Sequence, residues 1–235
     1  MTRPANERMP SFSSGSSPYL LLITGLFVMA LVLSNILAVK LVEVEGRVFD
    51  AATLLFPLTY LIGDVLTEVY GYRQARLVIW VGFVSSLVAV VAIQIAILLP
   101  PAGFWEENQT AYETVLDTTW RIFLASLAAY LVGEFTNSFI LAKLKILTSG
   151  RWLWTRTISS TLVGEGLDSA VFSVIAFAGT GVPLANQIIT IWVIKVVWEV
   201  AATPLTYVAV GFLKRREGID VYDVGTDFNP LRIGR

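Results

Sequence analysis

Asp64 and Glu68 sit four residues apart in the apolar run Phe56-Pro57-Leu58-Thr59-Tyr60-Leu61-Ile62-Gly63-Asp64-Val65-Leu66-Thr67-Glu68-Val69-Tyr70-Gly71. At that spacing both carboxylates lie on one face of a helix. A carboxylate in hydrocarbon costs several kcal/mol unless something pairs with it, so a chain that keeps two of them there is using them. Glu134, Glu165, Asp168, Lys195 and Glu199 also fall inside apolar stretches, as do the amides of Asn35 and Asn137. The chain has neither histidine nor cysteine. Thiol catalysis, disulfides, iron–sulfur clusters, Ser-His-Asp catalysis, histidine proton relays and most zinc or copper sites are therefore excluded. What these residues can do is ion pairing, hydrogen bonding to a ligand rich in N–H groups, and proton transfer between carboxyls. No cofactor and no metal is expected.

Each group has a structural reading beside the functional one. Lys195 and Glu199 are four apart and can neutralise each other. Glu134 and Asn137, three apart, can glue helices together. Glu68 can rest at the cytoplasmic interface beside Arg73 or Arg76. Asp64 and Asp168 are harder to dismiss, because neither has a cation within four residues on its own helix. Glu165 shares the face of Asp168. The excess of acid over base predicts either protonated carboxyls or a cationic, N–H-rich ligand. The economical arrangement turns all these faces toward one central polar cavity. Tyr60 and the other in-span aromatics can stack on a flat ligand or simply pack.

The elements that hold this set are membrane helices. Only 15% of the 235 residues are charged while 55% are apolar, below the charged share of about 25% usual for soluble domains. Net charge is −1, so nothing marks a nucleic-acid footprint. Six apolar blocks are long enough to span a bilayer core: 19–42, 51–69, 75–99, 120–144, 157–178 and 186–213. Backbone in lipid must bond within itself, so these are helices. The expectation is an all-α polytopic membrane protein with a disordered cytoplasmic tail at 1–17, a six-helix domain at 18–213 and a cytoplasmic C-terminal tail at 214–235. Arg3, Arg8, Arg73, Arg76, Lys143, Lys145, Arg151, Arg156, Lys214, Arg215 and Arg216 fall on one side if both termini are cytoplasmic. Residues 43–49 alternate polar and apolar around Gly46, the pattern of a short outer hairpin. Residues 100–119 read as the longest loop, acidic and aromatic.

The two halves resemble each other. Asn35-Ile36-Leu37-Ala38-Val39-Lys40-Leu41 echoes 137–144, Leu61-Ile62-Gly63-Asp64-Val65-Leu66 echoes 162–167, and Ile79-Trp80-Val81 echoes 191–193, in the same order. Three spans per half put the halves in opposite orientation, the inverted repeat of many secondary transporters. Pro204 is expected to kink the last span. Ala125, Ala129 and Gly133, four apart, permit close helix approach within the monomer or across a homodimer.

The run from Phe56 to Gly71 resembles the queuosine precursor transporter family, also called the vitamin uptake transporter or YhhQ family. Ordered matches support it: Ser34-Asn35, Asn108-Gln109, Arg121 with Ala125-Ser126 and Ala129-Tyr130, Arg156 with Gly164 and Asp168, Lys195 with Pro204, and Asp227-Phe228-Asn229-Pro230. The resemblance implies an inner-membrane importer of a 7-deazaguanine base, preQ0, preQ1 or queuine, for tRNA modification salvage, and not an enzyme. A lactam N–H beside an exocyclic amine suits one carboxylate as a bidentate pair. The expected substrate-binding set is Asn35, Tyr60, Asp64, Glu68, Glu134, Asn137, Glu165, Asp168, Lys195 and Glu199. Asp64 and Asp168 are the foremost carboxylates, and carboxyl-mediated proton coupling is open. Two other classes are open to the sequence. One is a substrate-binding subunit driven by a separate ATPase, since this chain carries no nucleotide-binding motif. The other is an intramembrane aspartyl protease, for which Leu61 stands where the first Gly of Gly-x-Gly-Asp belongs.

Overall fold

The computed structural model describes residues 17–37, 40–44, 47–116, 120–179 and 183–232. The proposed disordered tail at 1–17 lies, but for Ser17, outside them. The chain runs α1 (Pro18–Leu37), a hairpin of β1 (Leu41–Val44) and β2 (Arg47–Asp50), a 3-10 turn (Ala51–Leu54), α2 (Phe56–Tyr70), α3 (Tyr72–Leu98), a second 3-10 turn (Gly103–Trp105), α4 (Glu106–Leu116), α5 (Trp120–Leu147), α6 (Leu153–Phe177) and α7 (Leu184–Glu217). The fold is essentially all-helical. Among the described residues, five segments are long and apolar enough to cross a membrane: α1, α3, the stretch Gly103–Leu147 that includes α5, α6 and α7.

Several expected boundaries shift for local reasons. The first block ends early, because Leu41 and Val42 pair with Asp50 and Phe49 across the antiparallel hairpin. The expected loop at 100–119 contains α4, whose Glu106 and Glu107 occupy the first turn, where carboxylates complement the helix dipole. Helix α7 runs unbroken through Pro204; in a membrane, the freed backbone group can be re-satisfied locally.

Helix α2 is the axis of the bundle and touches α1, α3, α5 and α7. Its 15 residues reach about 22 Å, short of a hydrocarbon core of about 30 Å. The turn at Ala51–Leu54 precedes it, and Pro57 stands in its first turn, where a missing N–H does no harm. Gly71 ends it at φ 82°, with its N–H on Thr67 O at 3.1 Å, so α3 starts after a single residue. A side chain at Gly71 is excluded twice over, by that φ and because a Cβ would lie 2.7 Å from Val221 Cγ1.

The interior combines an apolar cluster around Phe27, Leu66, Val69 and Ile79 with many buried polar groups. Helix α6 supplies many of the latter. Arg156, Thr157, Ser160, Thr161, Glu165, Asp168, Ser169 and Ser173 are buried, while Leu162, Val163, Leu167, Val174 and Ile175 are exposed. Helices α5 and α6 are the closest pair. A Cβ on Gly164 would lie 2.9 Å from Asn137 Cβ and 3.0 Å from Gly133 O. Ala125, Ala129 and Gly133 are buried, so the small-residue stripe is used inside the protomer. Arg121 ties the far ends of the pair through Ile175 O at 2.6 Å and Ala178 O at 2.5 Å.

Residues 218–232, expected only as a tail, fold back onto the bundle. Val221 N–H donates to Val69 O at 3.2 Å, and Tyr72 N–H donates to Asp223 Oδ2 at 2.9 Å. Arg76 donates to the carbonyls of Asp227 and Asn229 at 2.9 and 2.7 Å. Trp80 Nε1 donates to Pro230 O at 2.8 Å. The Phe228 ring lies against Tyr72 and Phe139, 4.9 and 5.2 Å between centroids, with Lys143 Nζ 4.1 Å above it.

Candidate functional site

Helices α2, α5, α6 and α7 bring most of the expected residues together at mid-depth. Asp64 on α2 is 0% exposed. Its Oδ1 accepts from Asn137 Nδ2 on α5 at 2.7 Å, which fixes the carboxylate's orientation. Glu199 on α7 is also buried and close enough to Asp64 for their charges to interact. Two carboxyls so placed need a proton or a donor between them. One turn before Asn137, Glu134 is also 0% exposed. It lies over the Gly63 backbone, where a Cβ would be 2.9 Å from Glu134 Oε2. Gly63 therefore makes room for a second carboxyl beside Asp64.

A second group adjoins the first. Lys195 on α7 pairs with Glu165 Oε2 at 2.7 Å and with the Asp168 carboxylate, both on α6. Its ammonium stands 5.7 Å from the centre of the Tyr60 ring. Tyr60 and Asp168 approach each other over Gly133, whose added Cβ would lie 2.9 Å from Tyr60 Oη and 2.8 Å from Asp168 Cβ. Lys195 is thus neutralised across helices by α6.

The orphaned atoms in the Asp64 group have one character. Asp64 Oδ2, Glu134 Oε1 and Oε2, Asn137 Oδ1 and Glu199 Oε1 are buried with no hydrogen-bond donor among the described residues. Leaving a buried polar group unpaired costs about 1–3 kcal/mol, more for a charged one. Five acceptors without a donor describe a site for something that brings N–H groups or protons.

Two expected members stand apart. Asn35 on α1 is partly exposed and makes no hydrogen bond to this group among the described residues. Glu68 is buried, but its partners are Arg156 (2.5 and 3.2 Å), Lys214 (2.7 Å) and Lys145 (3.7 Å). These come from α6, α7 and α5, where the sequence suggested Arg73 or Arg76. Lys145 and Lys214 also bind Asp220, at 2.5 and 2.9 Å. Sequence reasoning placed Arg156, Lys145 and Lys214 at the cytoplasmic side as loop cations and passed over Asp220. The available signal was that Arg156 begins a series of polar residues recurring every three to four positions along α6.

Residues 50–209 match the family described as "Putative vitamin uptake transporter". The chain belongs to this family. The matched stretch contains both mid-depth groups and Glu68, and excludes Asn35 and residues 218–232. A Bacillus subtilis (strain 168) protein named "Probable queuosine precursor transporter" is 33% identical over 159 residues, 66% of this chain and 69% of that protein. A protein of the same name from Haemophilus influenzae is 31% identical over 136 residues, 57% of this chain and 54% of that protein. This chain thus spans a little over half of the second relative's length. No solved structure gives a significant match. A transporter family and several membrane-spanning helices make this a multi-pass membrane protein.

Proposed function

We propose that this protein imports a 7-deazaguanine precursor of queuosine across the inner membrane, binding it at the Asp64 group. The relatives' names supply the substrate class, and one observation carries the site: the buried acceptors around Asp64 have no donor of their own. A deazaguanine presents a lactam N–H and an exocyclic amine side by side, donors that a single carboxylate accepts as a pair. Asp64, held by Asn137, offers Oδ2 to that edge, and Glu134 takes the remaining amine proton. Lys195, with Glu165 and Asp168, faces the ring carbonyl and balances charge. Tyr60 covers the ring's flat face. A cationic substituent such as the aminomethyl of preQ1 goes to Glu199, and the carboxyl pair Asp64–Glu199 is the place for a coupled proton. Glu68 acts at one end of the route, and Asn35 stays outside the binding group.

In this reading α2 with its preceding turn is a sixth crossing, completing a 3+3 inverted repeat with both termini cytoplasmic. The cations Arg73, Arg76, Lys143, Arg215 and Arg216 support that orientation. The test is uptake of labelled preQ1 into cells that cannot make it. Wild type restores uptake, and Asp64→Asn with Asp168→Asn abolishes it; unchanged uptake in the double variant would refute the site. Uptake by the purified protein in liposomes would exclude a strict need for a separate ATPase.

A further inference from the structure

We infer that the charge cluster around Glu68, together with the C-terminal segment clamped onto it, is the gate that closes the polar core at its cytoplasmic end, with Asp220 as the latch. The inference rests on the transporter reading and on the orientation proposed with it. Glu68 follows Asp64 by one turn of α2, about 6 Å along the axis. The four helices that hold the polar core each send one charged residue into the cluster: Glu68 from α2, Lys145 from α5, Arg156 from α6 and Lys214 from α7. Glu68, Lys145 and Arg156 are each 1% exposed. A ligand leaving the Asp64 group toward this end, between these helices, meets the cluster first, and passage requires that its ion pairs separate.

The way the cluster is completed distinguishes a gate from a fixed staple. Burying ion pairs is a poor way to gain stability, because desolvation offsets the attraction. Here the last partner, Asp220, lies outside the helices, and its side chain is 43% exposed. Lys145 Nζ also donates to Glu68 O at 2.5 Å and to Val221 O at 2.7 Å. One ammonium thus joins the end of α2 to the folded-back segment. Beyond it, Asp223 receives the first N–H of α3, and Arg76 and Trp80 hold the carbonyls of 227, 229 and 230. Withdrawing a solvent-side segment would let water reach Lys145 and Lys214 and replace their lost partners. At the opposite end, α5 and α6 are joined directly, through Arg121 and the carbonyls of Ile175 and Ala178.

The chain has no cysteine, so single-cysteine reporters in the full-length protein are unambiguous. Ser160 is buried on α6 one turn from Arg156 toward Glu165, and Ser173 is buried beyond Asp168. Ser160→Cys and Ser173→Cys, each alone and with Asp220→Asn, are labelled with an impermeant methanethiosulfonate in inside-out and right-side-out vesicles. With Asp220 intact, Ser160→Cys should label slowly from the cytoplasmic face. Asp220→Asn should raise that rate about tenfold and lower labelling of Ser173→Cys from the outer face, as a two-state shift requires. Deleting 221–235 should exceed the single substitution. Fast labelling of Ser160→Cys with Asp220 intact, or rates indifferent to Asp220, would overturn the gate. A rise at both reporters from both faces would mean general loosening and would overturn it too. Labelling needs no substrate, so failure of preQ1 uptake refutes the proposed function and leaves this result to stand or fall separately.

Discussion

Replacing Gly164 by alanine tests whether the α5–α6 crossing positions the site. The new Cβ would stand 2.9 Å from Asn137 Cβ and 3.0 Å from Gly133 O. Carbon atoms in contact sit at about 3.5–4.0 Å, so the helices must part by roughly 0.6–1.1 Å at this point. Alanine gains about 1 kcal/mol over glycine in a helix interior, while overpacking costs about 1–3 kcal/mol. The net change in stability is then roughly 0–2 kcal/mol against the variant, a modest loss. The functional loss should be larger. Asn137 moves with its Cβ, and its 2.7 Å bond to Asp64 cannot survive a displacement near 1 Å with its geometry intact. Thermal unfolding in detergent and preQ1 uptake, measured on the same preparation, separate the two effects. The expected result is a small fall in Tm with uptake lowered by about tenfold, the 1.4 kcal/mol worth of one oriented hydrogen bond. Unchanged uptake at any Tm would refute the claim that this crossing sets the Asn137–Asp64 geometry.

Three further outcomes follow from the same geometry. Glu68→Ala leaves Arg156 and two lysines facing one another, and removing one partner of a buried pair costs about 3–5 kcal/mol; thermal unfolding should show a much larger loss than for Asp220→Asn. Asn137→Leu frees Asp64 Oδ1 and adds another unpaired acceptor, so preQ1 binding by isothermal titration should weaken more than tenfold; an unaltered affinity would remove Asn137 from the site. Burial pushes the Asp220 carboxyl up, but hydrogen bonds and charge from Lys145 and Lys214 outweigh it and hold its pKa below 3.8. A pKa depressed in the docked state makes docking fully favourable above the ordinary value and weaker as pH falls through the depressed one. A probe on the exposed Val224 should therefore show constant anisotropy from about pH 7 to 5 and mobility only below about pH 4; release near pH 6 would contradict it.

Much of this arrangement is legible in the chain because lipid is unforgiving of polar groups. Asp64, Glu134, Glu165, Asp168, Lys195 and Glu199 stand out against apolar neighbours; Glu165 and Asp168 meet Lys195, and Glu134 and Glu199 lie near Asp64. The hairpin at Leu41–Asp50 is visible in its alternation. Partner choice is not legible. Lys195 has Glu199 four residues away yet pairs with Glu165 and Asp168, because helix crossing decides which faces meet. Glu68 has Arg73 and Arg76 close in sequence, but Arg76 is occupied by the carbonyls of Asp227 and Asn229. The docking of 218–232 depends on contacts about 150 residues apart in sequence, for which no local periodicity exists. Helix α4 escaped because its composition is polar and none of its residues is buried.

We propose above all that the orphaned acceptors around Asp64 read the N–H edge of a deazaguanine. The most direct measurement is equilibrium binding of preQ1 by the purified protein, set against its analogue without the exocyclic 2-amine. Sites built to hydrogen-bond a ligand group reject analogues lacking it by about 10⁴-fold when buried acceptors are left unpaired. A large loss of affinity is expected for the analogue lacking the amine, and a much smaller difference between the two ligands in Asp64→Asn. Equal binding of the two bases by the wild-type protein would contradict it.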